Sequence, residues 1–104
     1  MSDSFSDFQQ ALIREGKSPL TIRNYLNDLK HFAAWFTQTN GEPFAPGGIT
    51  VLDVRAYKSY LMTVAKFMPA TINRRLAALA KYCRWAKAAG LLTDDSTAEV
   101  KGVS

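Results

Sequence analysis

SPLTIRNYLNDLKHFAAWF, from Ser18 to Phe36, and MPATINRRLAALAKYCRWA, from Met68 to Ala86, carry one pattern twice at a constant offset of 50 residues. Pro19 matches Pro69, and Thr21-Ile22 matches Thr71-Ile72. Leu26, Leu29, Phe32 and Trp35 match Leu76, Leu79, Tyr82 and Trp85. Steps of three and four residues between apolar positions are the period of one helix face, so each stretch predicts an amphipathic helix. A proline opens each, at a first helical position where a missing N–H leaves nothing unpaired. Ser18 is a suitable N-cap for the first. Two core helices of similar stripe width account for the echo, whether by convergence or by duplication. It covers one helix per half and is no solenoid array.

Working outward, the whole chain reads as helices without strands, since apolar/polar alternation is missing. A first helix runs from about Ser4 to Glu15, with Phe5, Phe8, Leu12 and Ile13 as its stripe and Gly16 as a left-handed stop. The second carries Ile22, Tyr25, Leu26, Leu29, Phe32, Ala33 and Phe36. Residues 39–48, TNGEPFAPGG, form a turn-rich loop inside one domain. Thr50 with Asp53 three residues on resembles a capping box and opens a third helix, whose stripe is Leu52, Val54, Tyr57, Leu61 and Val64. The fourth runs from Pro69 to near Gly90 on Ile72, Leu76, Leu79, Ala80 and Cys83. Residues 93–104 turn polar and small and read as a tail or the start of a linker, leaving 1–92 as the helical domain. The expected fold class is all-α, a compact bundle of four or five short helices.

The 104 residues suit one domain, and 47% apolar content is enough to bury a core without staples. One cysteine excludes an internal disulfide and fits a reducing cytosol. No apolar run approaches a membrane span and no signal pattern opens the chain, so a soluble, cytoplasmic protein is expected. Net charge is +4, and its distribution is uneven. Between Asp53 and Asp94 there is no acidic residue, while that stretch holds Arg55, Lys58, Lys66, Arg74, Arg75, Lys81, Arg84 and Lys87. Such a run implies a one-signed surface field.

Catalytic chemistry is hard to build from these residues. His31 has no nucleophile motif or fellow ligand around it, and it falls on the outer face of the second helix as a solvated histidine or a phosphate contact. Cys83 lies on an apolar face as a small core hydrophobe. Gly47-Gly48 precedes a helix but lacks the P-loop signature. The carboxylates sit mostly at caps and ends, and the four tyrosines read as structural. The chain by itself is therefore not expected to be an enzyme, and no cofactor or metal is implied.

Binding chemistry is better represented. With Ile72 turned inward, Asn73, Arg74, Ala78 and Lys81 turn outward, and Thr71 and Arg75 flank the stripe. The result is a polar, cationic surface at the positive end of a helix dipole. Arg suits guanine and Asn adenine, and Thr suits phosphate or a thymine methyl. The second helix opens with an analogous set: Ser18, Thr21, Arg23, Asn24 and Asn27, then Lys30. Trp35 and Trp85 lie off the centre of their stripes, which widens the buried arc and leaves a narrow exposed face that is the basic one. An exposed tryptophan would instead mark a protein interface.

Ser18-Pro-Leu-Thr-Ile-Arg-Asn-Tyr-Leu-Asn-Asp-Leu-Lys-His-Phe-Ala-Ala-Trp resembles the opening of the N-terminal core-binding, or SAM-like, domain of phage-integrase-type tyrosine recombinases. The likeness continues through Ile49-Thr-Val-Leu-Asp-Val-Arg-Ala-Tyr, Thr71-Ile-Asn-Arg-Arg-Leu-Ala-Ala-Leu and Tyr82-Cys-Arg-Trp-Ala, over roughly residues 5–100. The resemblance implies one jaw of a clamp around double-stranded DNA at a recombination half-site, with the second and fourth helices approaching the major groove. By position it implies Thr21, Arg23, Asn24 and Asn27 on the groove side of the second helix. On the fourth it implies Thr71, Asn73, Arg74 and Arg75, with Lys66 and Lys81 near the backbone. It also implies contact between the first helix and a neighbouring recombinase protomer on DNA, a fragment that is monomeric in isolation, and a nucleoid location. The family's catalytic domain, with its DNA-linking tyrosine, is not matched here, so the chain is expected to end in an interdomain linker near Val103-Ser104. Two departures stand out. Met68 occupies a place where a small polar cap is expected, and Asp95-Ser96 stands where the family often has proline. A helical protein-interaction module, anchored by Trp85 or the first helix, is the competing expectation; a complete enzyme ranks third.

Overall fold

Four α-helices appear in the computed structural model, which describes residues 4–102: α1 (Ser4–Arg14), α2 (Pro19–Asn40), α3 (Val51–Thr63) and α4 (Pro69–Ala88). A 3-10 turn, Pro46–Gly48, lies between α2 and α3. No strand occurs among the described residues, so the all-α expectation holds. Residues 1–3 and the Val103-Ser104 end lie outside the described residues. Among the described residues no helix is long and apolar enough to cross a membrane.

The helix ends follow local chemistry. Ser18 Oγ accepts the Thr21 backbone N–H at 3.2 Å, with Pro19 just inside the helix. Thr50 and Asp53 form the full capping box: Thr50 N–H donates to Asp53 Oδ2 at 2.9 Å, and Asp53 N–H donates to Thr50 Oγ1 at 3.2 Å. Two otherwise orphaned donors are thereby satisfied. Gly41 closes α2 with φ 70°, in the left-handed region that glycine enters without a Cβ clash. Met68 opens α4 in extended conformation with no side-chain cap, and it is 73% exposed. Met68→Ser should therefore supply a missing acceptor and raise the unfolding free energy by about 1 kcal/mol. Thermal unfolding should then shift upward by roughly 4–8 °C; an unchanged midpoint would mean that the α4 start is satisfied by other means.

The core is rich in rings. Phe8, Leu12, Leu29, Phe32, Val54, Tyr57, Leu61, Ile72, Leu79, Tyr82 and Cys83 are all essentially inaccessible. Tyr57 stands edge-on to Phe32 with centroids 5.0 Å apart, and Tyr82 stands edge-on to Phe8 at 5.5 Å. Such offset and edge geometries suit the ring quadrupole. The interhelical loop joins in, because Phe44 stacks on Phe5 at 5.4 Å and meets Phe36 at 5.6 Å. Trp35 is buried and Trp85 half-buried, each packed among these rings.

Several residues expected inside lie outside, or the reverse. Leu52 and Val64 are exposed. Leu52 falls on the far side of α3 from Val54, Tyr57 and Leu61, and Val64 is the C-cap residue beyond the helix. Ile13 is exposed at the end of α1. Ala78, expected to face outward, is buried, because α4 packs over a wider arc than its leucines mark. His31 is not a solvated surface group: it is half-buried, with Nδ1 2.6 Å from the Tyr57 hydroxyl and its ring against Phe67. The polar segment after Leu92 packs on the body. Ser96 and Thr97 are buried, Ser96 Oγ donates to the Ile49 carbonyl at 2.9 Å, and Val100 meets the core.

Candidate nucleic-acid interface

The exposed side of α2 is set by its buried one. Ile22, Leu29, Phe32, Trp35 and Phe36 face the core, so Arg23, Asn24, Asn27 and Lys30 emerge together on the opposite, exposed face. Thr21 is half-buried, and its hydroxyl accepts from Ser18 Oγ at 2.9 Å within the cap. At the start of α4, Thr71 and Asn73 are half-buried, and Arg74 is 58% exposed at its side chain. The backbone of Gly102 lies against Asn73; a Cβ there would come within 2.6 Å of Asn73 Oδ1. Lys66 is exposed in the α3–α4 turn at φ 54°, in the left-handed region that a non-glycine residue uncommonly enters. Lys81 is half-buried and donates to Glu15 Oε1 at 3.2 Å, tying α4 to the end of α1.

Arg74 and Arg75 have different environments. One residue turns the helix by about 100°, which carries Arg75 from the exposed face to within about 60° of Ile72. Its side chain is only 15% exposed. The guanidinium carbon sits 5.0 Å from the Phe67 ring centre, a cation–π arrangement, and Arg75 Nη1 lies 3.5 Å from Asp28 Oδ1. Arg74 Nη2 donates to the same oxygen at 3.0 Å. Among the described residues, buried Arg75 Nε has no hydrogen-bond partner.

Asp28 was invisible to a reading that placed carboxylates at caps and ends. It lies 5% exposed inside the wide buried arc of α2. The sequence carried no usable signal, because its echo across the 50-residue offset, Ala78, was itself expected to face outward. A carboxylate removed from water in this way requires cationic partners. Around it, burial holds the His31 imidazole below its ordinary range; Arg75 adds to that effect and Asp28 opposes it. Burial raises the Tyr57 hydroxyl well above the usual phenol value, with Arg75 opposing. Burial also pushes the Cys83 thiol up to about 12, Asp95 reinforcing and Arg84 opposing, so the sulfur is a neutral packing group.

The body is all-helical, with polar and cationic residues on the outer faces of its second and fourth helices. Residues 5–90 match the family described as the phage integrase N-terminal SAM-like domain, and the chain belongs to that family. Among curated proteins, it is 32% identical over 100 residues to tyrosine recombinase XerC of Neisseria meningitidis serogroup C, covering 93% of this chain and 32% of that protein. It is 31% identical over 100 residues to tyrosine recombinase XerC of Neisseria gonorrhoeae, with the same coverage of 93% and 32%. A tyrosine recombinase of Synechococcus elongatus is 35% identical over 103 residues, covering 92% of this chain and 32% of that protein. The chain thus spans about a third of the length of these relatives. No solved structure matches it.

Proposed function

We propose that this chain is the DNA-gripping domain of a tyrosine site-specific recombinase acting on bacterial or phage DNA in the cytoplasm. It holds one recombination half-site through the outer faces of α2 and α4. The supporting observation is that Arg23, Asn24, Asn27 and Lys30 share one exposed face of α2, while Asp28 ties that helix to exposed Arg74 at the start of α4. In this scheme Arg23, Asn24, Asn27, Asn73 and Arg74 approach base edges. Thr21 and Thr71 serve phosphates or methyl groups, and Lys30, Lys66 and Lys81 serve the backbone. Arg75 supports the site from inside. Strand cleavage and rejoining belong to the remainder of a longer protein, and α1 offers a face to neighbouring protomers on the same DNA.

Fluorescence anisotropy with random duplex DNA tests this. If four to six phosphates are neutralised, log affinity should fall against log salt with a slope of roughly −4 to −5. Lys30→Ala/Lys66→Ala should weaken binding to all sequences and flatten that slope by about 1 for each phosphate no longer neutralised. Binding that is absent at low salt, or that ignores salt, would remove DNA as the partner.

A further inference from the structure

We propose that Asp28 is a positioning residue for DNA sequence preference: it fixes the Arg74 guanidinium beside the outer face of α2, so that Arg74 reads a base edge in one orientation. This rests on the DNA-binding function proposed above. Two arginines converge on a single carboxylate oxygen, at 3.0 Å from Arg74 and 3.5 Å from Arg75. Charge balance at a buried aspartate needs only one, and Arg75 is the interior partner, roofed by Phe67. The second arginine adds a net positive charge and leaves its side chain largely in solvent.

Among the described residues, Arg74 donates to Asp28 through Nη2, and the other donors of its planar guanidinium can face a ligand. Recognition of guanine O6 and N7 depends on that fork being held in plane and in place. An untethered arginine would lose rotamer freedom on docking, and a tether formed before binding removes part of that loss. The tether also runs from α2 to a side chain of α4, so the arm moves with both helices. Asp28 itself is recessed and faced by two cations, which limits its repulsion of a phosphate.

The test begins by selecting preferred duplexes from a randomised library with the wild-type chain. Affinity is then measured for a selected and a scrambled duplex. Arg74→Ala should cut the selected-over-scrambled ratio on the order of 10-fold. Asp28→Asn should cut it by a similar factor while leaving scrambled-duplex affinity within about two-fold, an outcome that general loosening of the fold would not produce. Adding Asp28→Asn to Arg74→Ala should lower the ratio no further, because both act through one group. Circular dichroism melts establish that each variant is folded at the assay temperature. Asp28→Glu, which keeps the charge but displaces the carboxylate, replaces Asp28→Asn with the same expectation if the latter does not fold. A retained ratio, an equal loss on both duplexes, or an additive effect in the Arg74→Ala background would overturn the inference alone, as would a wild type that binds DNA without preference. A wild type that binds no duplex at low salt would remove the DNA-binding function and this inference with it.

Discussion

Tyr57→Ala is expected to lower the unfolding free energy by about 3–5 kcal/mol, in the range of large aromatic truncations in a packed core. Tyr57 is 0% exposed. Its ring packs on Phe32 at 5.0 Å and Trp35 at 5.1 Å, which joins α3 to α2. Its hydroxyl meets His31 Nδ1 at 2.6 Å. A domain of this size is stable by only about 5–15 kcal/mol in total, so the variant should unfold at much lower urea concentration. Tyr57→Phe separates the two contributions. It keeps the ring and removes one hydroxyl, at a cost of about 1–2 kcal/mol. Urea titrations of both variants measure the difference. A loss for Tyr57→Ala no larger than that for Tyr57→Phe would show that the ring cluster contributes little and that the polar contacts dominate.

The second large effect separates two adjacent arginines by stability. Arg75→Ala removes the interior partner of a carboxylate that is 5% exposed, and it takes away the cation over Phe67. Arg74 still faces the carboxylate, so the expected loss is about 1–3 kcal/mol, from a charged contact inside the fold and the cation over Phe67. Arg74→Ala removes a mostly exposed partner while Arg75 remains, so its cost should stay below about 1 kcal/mol. Urea midpoints of the two single variants are sufficient to compare them. Equal losses would mean that both arginines share the carboxylate equally, contrary to their different burial. The contrast also guides DNA experiments: a double Arg74/Arg75 variant mixes weaker binding with weaker folding, whereas Arg23 and Lys30 can be changed on an exposed face.

Much of the architecture was legible in local chemistry. The three- and four-residue apolar steps placed α2 and α4, and the prolines placed their starts. Thr50 with Asp53 read correctly as a capping box because both partners lie within one helical turn. Gly16 and Gly90 marked helix ends that adopt φ 79° and 80°. The basic, polar outer face of α2 could be read from sequence because its heavily apolar opposite face leaves no other orientation.

Other features depended on which elements meet. Periodicity says which residues share a face, but the width of the covered arc depends on the neighbouring helices. Ala78 is buried and Leu52 exposed for that reason. His31 found a phenol on α3, 26 residues away. The tail found the Ile49 carbonyl, and Phe44 carried a polar-looking loop into the aromatic core. Asp28 and the two arginines show the division most clearly. Adjacent arginines are chemically identical in the chain, and a helix turns them about 100° apart. The helical repeat by itself determined that they would diverge. Only the seating of α2 beside α4 decided which one meets a buried carboxylate under Phe67 and which remains in solvent, because charge burial is set by groups 46 and 47 residues away in sequence.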